Sequence, residues 1–228
     1  MNTKPLLKPS RPFFSSGPCP KRPGWSAQAV EKIAYLGRSH RAKKPLQQIR
    51  TLINLIDEIL ELPEGYKVAI VPGSDTGAFE LLMWSLLGKN ETTMLVWESF
   101  GSDWADDAIN QLKLERCKVH KAEYGDLPKL DEVSNSSDIC FTWNGTTSGA
   151  RVPDSNWIEK NKERIVLCDA TSAVFSQELD WEKLDAVSFS WQKVLGGEGG
   201  HGVIVLSPNA IKRLSTFYPE RPMPKIFR

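Results

Sequence analysis

Apolar positions follow two different rhythms along this chain. Leu46, Ile49, Leu52, Ile53, Leu55, Ile56, Ile59 and Leu60 recur at three- and four-residue steps, the spacing of one helical face. They predict a helix over residues 46–62, stopped by Pro63. A shorter helix is expected at 25–36, with Ser26 as its N-cap. Residues 1–24 are rich in Pro, Ser and Gly and read as an extended arm. After residue 66 the rhythm changes to short, nearly continuous apolar runs. These predict strands at 67–71, 92–97, 117–120, 138–143, 164–169, 186–191 and 202–206. Helices are expected at 76–87, 104–114, 156–162 and 209–217. Strands alternating with helices predict an α/β domain with a mostly parallel central sheet and helices on both faces.

Composition adds little to that picture but removes several alternatives. The chain has 228 residues, 40% hydrophobic and 25% charged, ordinary for a globular protein with a real core. A net charge of +1 gives no reason to expect nucleic acid or an acidic membrane as partner. No apolar run has the roughly 20 residues of a membrane span, and the basic start lacks a signal-peptide core. A cytoplasmic protein is therefore expected. Cys19, Cys117, Cys140 and Cys168 form no CxxC pair and fit free thiols. The histidines at 40, 120 and 201 offer no metal-ligand spacing, so no metal is expected.

In open α/β sheets, ligands bind beyond the carboxyl ends of the strands, so the residues following each run carry the functional interest. After Val71 come Gly73, Ser74, Asp75, Thr76 and Gly77, small residues leading into a helix, where free backbone N–H groups can hold a phosphate. The same residues also fit an ordinary capped helix. The run 165–168 ends in Asp169. A carboxylate there needs a strong partner, either a protonated pyridine nitrogen or, more plainly, the turn at Thr171 and Ser172. The run 186–191 exits through Gln192 and Lys193 into a glycine-rich stretch. A lysine there can form a Schiff base if its amine loses its proton; a solvated surface lysine is the plain alternative. Trp104 is expected to open the helix after the second strand, as a core residue or a stacking partner for a flat ring. Thr146 follows the 138–143 run. His40 and Arg41 lie in a polar stretch before the long helix, suited either to an anion or to solvent. No GxGxxG follows the first strand and no Walker loop ends the glycine run, which weighs against a nucleotide-binding domain.

Taken together these residues resemble the phosphoserine aminotransferases, fold-type-I (class V) enzymes that use pyridoxal 5'-phosphate (PLP). The resemblance covers essentially the whole chain. It runs from the arm at Phe14, Ser15, Ser16, Gly17 and Pro18, through Ser39, His40 and Arg41, to Gly73, Ser74, Asp75 and Thr76, then Trp104. It continues through Asn144, Gly145 and Thr146, then the run from Cys168 to Ser172, and Ser190, Trp191, Gln192 and Lys193. An arginine that some members carry in the 73–76 loop is absent here. An aspartate followed about two dozen residues later by a lysine is common to fold-type-I enzymes; the Ser-His-Arg and Trp-Gln-Lys segments narrow the family.

The resemblance implies roles. Lys193 would bear the cofactor and move a proton, and Asp169 would hold the pyridine nitrogen. Trp104 would stack on the ring, and Thr146 would contact its phenolic oxygen. Gly73, Ser74, Asp75, Thr76 and Gln192 would surround its phosphate. His40 and Arg41 would bind the substrate's distal anion. The implied reaction exchanges an amino group between L-glutamate and 3-phosphohydroxypyruvate, giving O-phospho-L-serine and 2-oxoglutarate, in serine biosynthesis and also in pyridoxine biosynthesis. The implied assembly is a homodimer. Residues 25–228 would be the PLP-binding large domain, with the family's smaller C-terminal domain missing after Arg228. Alternatives are a serine–glyoxylate-type aminotransferase or cysteine desulfurase of the same fold, or an inactive PLP-binding fragment.

Overall fold

The computed structural model describes Leu6, Leu7, Ser10 and residues 19–227. The expected arm motif at Phe14–Pro18 lies outside the described residues. Two helices come first: α1 (Ala27–Ile33), whose N-cap Ser26 accepts from the backbone N–H of Ala29, and α2 (Lys43–Ile59). Alternating strands and helices follow: β1 (Lys67–Pro72), α3 (Ser74–Leu86), β2 (Thr92–Val96), α4 (Ser99–Asp106), β3 (Cys117–Lys121), β4 (Asp138–Thr142), β5 (Val166–Asp169), β6 (Ala186–Ser190), β7 (His201–Leu206) and α5 (Pro208–Thr216).

The strands form one sheet in the order β1-β7-β6-β5-β4-β2-β3. β2, β3, β4, β5 and β6 pair in parallel, whereas β7 runs antiparallel to both β1 and β6. Strands β1, β2, β4, β5 and β6 therefore all end at the same edge. The chain moves outward from β2 to β3 and then returns to β4 on the other side of β2, a reversal of the kind that opens a crevice at the carboxyl edge.

Successive side chains alternate between two cores, as strand geometry requires. Met94, Val96, Cys140, Leu167 and Ile204 join α3, α4 and α5 in one. Leu95, Phe141, Cys168, Phe189 and Val203 point the other way, where Ile56 of α2 and irregular segments bearing Trp157, Trp181 and Leu184 cover them. Helices thus cover both faces unequally.

Two expected elements differ. Residues 156–162 are turn and irregular backbone, not a helix. The Asp154 carboxylate accepts from the Asn156 N–H at 2.7 Å, and its backbone oxygen accepts from the Trp157 indole N–H at 3.0 Å. Local bonds of this kind compete with the helical ladder, while Trp157 packs edge-on to Phe141. The helix after β2 begins at Ser99, not at residue 104, because the buried Glu98 caps it by accepting from the Gly101 N–H at 2.6 Å. Trp104 accordingly sits near the end of α4, which continues as a π-helical turn over Asp107–Gln111.

Candidate active site

Five strand exits meet at one cleft. Ser74, Asp75 and Thr76 line it from the start of α3, and Phe100 and Trp104 from α4. Thr142 ends β4, with Asn144 and Thr146 after it; Asp169 ends β5, with Thr171 and Ser172 after it; and Gln192 and Lys193 follow β6. The aspartate and lysine singled out from sequence therefore face one space, at the ends of adjacent parallel strands.

Asp169 is 9% exposed. Alternation along β5 turns it to the α3–α4 side, the side of Leu167. Its Oδ2 accepts from the Trp104 indole N–H at 3.3 Å, and its Oδ1 from the backbone N–H of Thr171 at 3.1 Å. Trp104 is buried and backed by Phe79, with ring centroids 4.9 Å apart. An ionised carboxylate offers about four lone-pair sites, so Asp169 retains capacity toward the cleft.

The turn into α3 is tightly built. Gly73 has φ of 90° and Ser74 has φ of 59°, a left-handed pair in which the second residue carries a Cβ. The helix N-terminus receives no side-chain cap, leaving its backbone donors suited to an anion. The Gln192 amide donates to Ser74 Oγ at 3.4 Å. A Cβ on Gly202 would stand 2.2 Å from the Ser74 carbonyl oxygen, so only glycine lets β7 pass beneath this turn. Gly73 and Thr76 are exposed at the mouth, as is Thr146.

Polar atoms without hydrogen-bond partners concentrate here. Asp75 Oδ1, Thr142 Oγ1, Thr171 Oγ1, Ser188 Oγ, Ser190 Oγ and Gln192 Oε1 are all buried and unpaired. Buried polar groups are normally satisfied, so such a cluster fits a polar ligand. Burial first, and then the neighbouring Asp169 carboxylate, push the Asp75 carboxyl well above the usual carboxylate range.

The N-terminal segment closes over the lysine loop. The Cys19 N–H donates to the Gln192 carbonyl at 2.8 Å, and Lys21 Nζ donates to the Gly196 carbonyl at 2.8 Å. A rim network also ties the loop after β4 to α4. The Thr147 hydroxyl donates to Glu98 and accepts from the Ser99 N–H.

His40 and Arg41 do not join this cleft; both are exposed in the turn before α2. Conversely, sequence reasoning did not select Thr142 as a site residue. A polar residue two positions after Cys140, hence on the same face, is the signal that could have found it.

Comparison with known proteins adds to this geometry. The family model described as "Aminotransferase class-V" matches residues 37–221. The chain belongs to the class-V aminotransferase family. Phosphoserine aminotransferases from Methanosarcina barkeri and Methanosarcina mazei are 50% and 51% identical to it over 99% of this chain. The chain spans 60% of the length of each. Among solved structures, a phosphoserine aminotransferase from Cytophaga hutchinsonii superposes with a TM-score of 0.73 at 26% identity, covering 82% of this chain and 53% of that one. The unpartnered atoms, the uncapped α3 terminus and the facing Asp169 and Lys193 thus lie at the carboxyl edge of the sheet in a chain of the class-V family.

Proposed function

We propose that this protein is a PLP-dependent transaminase that exchanges an amino group between L-glutamate and 3-phosphohydroxypyruvate, producing O-phospho-L-serine and 2-oxoglutarate. The observation that carries it is Asp169 and Lys193 facing one cleft from adjacent strands, together with half-identical relatives named phosphoserine aminotransferase. When bound, PLP supplies an aldehyde that links covalently to an amine and an electron-poor ring that draws charge from the neighbouring carbon.

The chain's own residues then have assignable work. Lys193 Nζ would hold the cofactor and, as a free amine, would carry the proton taken from the substrate's Cα. Asp169 holds the ring nitrogen's proton in place, stabilising charge that develops during proton transfer. The Trp104 ring would cover one face of the cofactor, and Thr146 would meet its phenolic oxygen. Gly73, Ser74, Thr76 and Gln192 would surround the phosphate, supported by the uncapped α3 N-terminus. Asp75 belongs to the same loop but is buried toward Asp169.

His40 and Arg41 are assigned to the distal phosphate of phosphoserine or the side-chain carboxylate of glutamate. Their turn does not line the cleft of its own chain, so this assignment requires a second copy. A homodimer is supported by the apolar residues left exposed along α2, among them Leu52, Leu55 and Ile59. A cytoplasmic setting is supported by four free cysteines, and among the described residues no helix is long and apolar enough to cross a membrane.

Visible absorption on mixing the purified protein with PLP tests the central assignment. The parent should develop the band of lysine-linked PLP and Lys193→Ala should not. A band of equal strength in the variant would overturn it. Binding without amino transfer from phosphoserine to 2-oxoglutarate would leave a PLP-binding protein but not a transaminase.

A further inference from the structure

Asp75 is out of place in a loop built for an anion. It is 8% exposed, in the first turn of α3, with Oδ1 buried and unpaired. Its carboxyl lies against Asp169, Ser188 and Thr171. Two ionised carboxylates facing one buried space repel each other strongly, so the pair holds one proton. Geometry decides where it sits. Asp169 already accepts two N–H groups, from Trp104 and Thr171, whereas Asp75 has only the Ser188 and Thr171 hydroxyls nearby, which oppose its burial and the Asp169 charge without outweighing them. Asp75 Oδ1 accepts none.

We propose that Asp75 is a positioning residue for Asp169: it keeps its proton and donates that O–H to the Asp169 carboxylate. A carboxylate that accepts a third donor is fixed in orientation and is a weaker base. A proton on a ring nitrogen facing Asp169 then stays on the ring. The inference rests on the proposed PLP reading for this last consequence only.

Among the described residues, few other charges bear on Asp75. Cys168 of β5 lies close enough to feel its charge, and Lys193 lines the same cleft. β7 brings an exposed His201 to the edge beside Pro72. β1 carries Lys67 at its opposite end. α5 and the turn Lys225–Phe227 meet the later part of α3, through Arg213 to Leu86 and Phe227 to Trp84. Farther along α3, Glu80 interacts with Asp107.

The test is infrared spectroscopy of the protein without PLP at neutral pH. The parent should show the stretch of a protonated carboxyl, shifted in D2O, and Asp75→Asn should lack it. No such band in the parent, or an unchanged band in Asp75→Asn, overturns the proposal. Should Asp75→Asn fail to fold, Asp169→Asn serves. It replaces the anionic acceptor by an amide, so the band should move, and a band that stays put overturns the proposal.

Stability gives a second readout. A carboxyl whose folded value is raised contributes stability fully below the ordinary aspartate range, about 4. That contribution is lost as pH rises through the folded value. The parent should therefore lose stability across that window, and Asp75→Asn should flatten the loss; parallel profiles would count against the shared proton.

With PLP added, Asp75→Asn keeps a donor and should bind within about threefold of the parent. Asp75→Ala should bind at least about tenfold more weakly, as for one lost charge-assisted hydrogen bond. Equal affinity in Asp75→Ala overturns the positioning role. If the parent itself binds no PLP, the proposed function falls, while the infrared band still decides the shared proton.

Discussion

Ser74 carries the most informative backbone angle in the site. An L-residue at φ of 59° costs roughly 1–2 kcal/mol, and strain of this kind persists where the surroundings impose it. Here Gly73, Gly77 and Gly202 crowd the turn, and a Cβ on Gly77 would stand 2.5 Å from the Pro72 carbonyl. Ser74→Gly should relieve the strain but add about 0.5–1 kcal/mol of unfolded-chain freedom. The expected result is a net gain of up to about 1 kcal/mol in urea unfolding, with weaker PLP binding through loss of the Ser74 hydroxyl. A loss of stability would show that the turn is relaxed as it stands. The sequence located this loop and its small residues. It could not show that Asp75 turns inward, because that depends on Asp169, Ser188 and Thr171 arriving from other strands.

At the scale of elements, a buried ion pair ties α5 to the start of β4, at the edge opposite the cleft. Arg213 of α5 donates to both carboxylate oxygens of Asp138 at the start of β4, at 2.9 and 3.2 Å, and to the Leu86 carbonyl at the end of α3. Asp138 also accepts from the Asn90 amide and the Ile165 N–H. Both partners are buried, so removing one leaves an uncompensated charge. Asp138→Ala should cost about 3–5 kcal/mol in denaturant unfolding, and Asp138→Ala with Arg213→Met together should cost less than the sum of the singles. Additive losses would mean the two act separately. Hydrophobic rhythm located the strands within a residue or two because most of the runs are nearly continuous and flanked by polar turns. It erred at residues 156–162 and at the start of α4, where the Asp154 turn and the Glu98 cap set the boundaries. Those are hydrogen bonds made by individual side chains, which periodicity does not register.

At the scale of the whole molecule, α2 is the unfinished surface. It has a helical stripe of apolar residues, yet only Ile56 is buried, and Ile59 is 62% exposed. If copies of the chain pair through this face, Leu55→Glu with Ile59→Glu should halve the sedimenting mass while leaving the helical circular dichroism unchanged. A parent that sediments as a monomer, or a variant that remains dimeric, removes α2 from the interface. By itself the sequence determined the α/β alternation and the position of every strand. It also determined the residue types that any cleft at the strand ends would offer. Those properties are local, set by side-chain periodicity and turn chemistry within a few residues. Only the tertiary structure decided that β7 runs against its neighbours and that five exits converge. It also decided that Asp75 and Asp169 share one buried space, while His40 and Arg41 stand outside it. These are matters of strand order and of which charges lose their water together, and residues far apart in sequence settle them only when the sheet has formed.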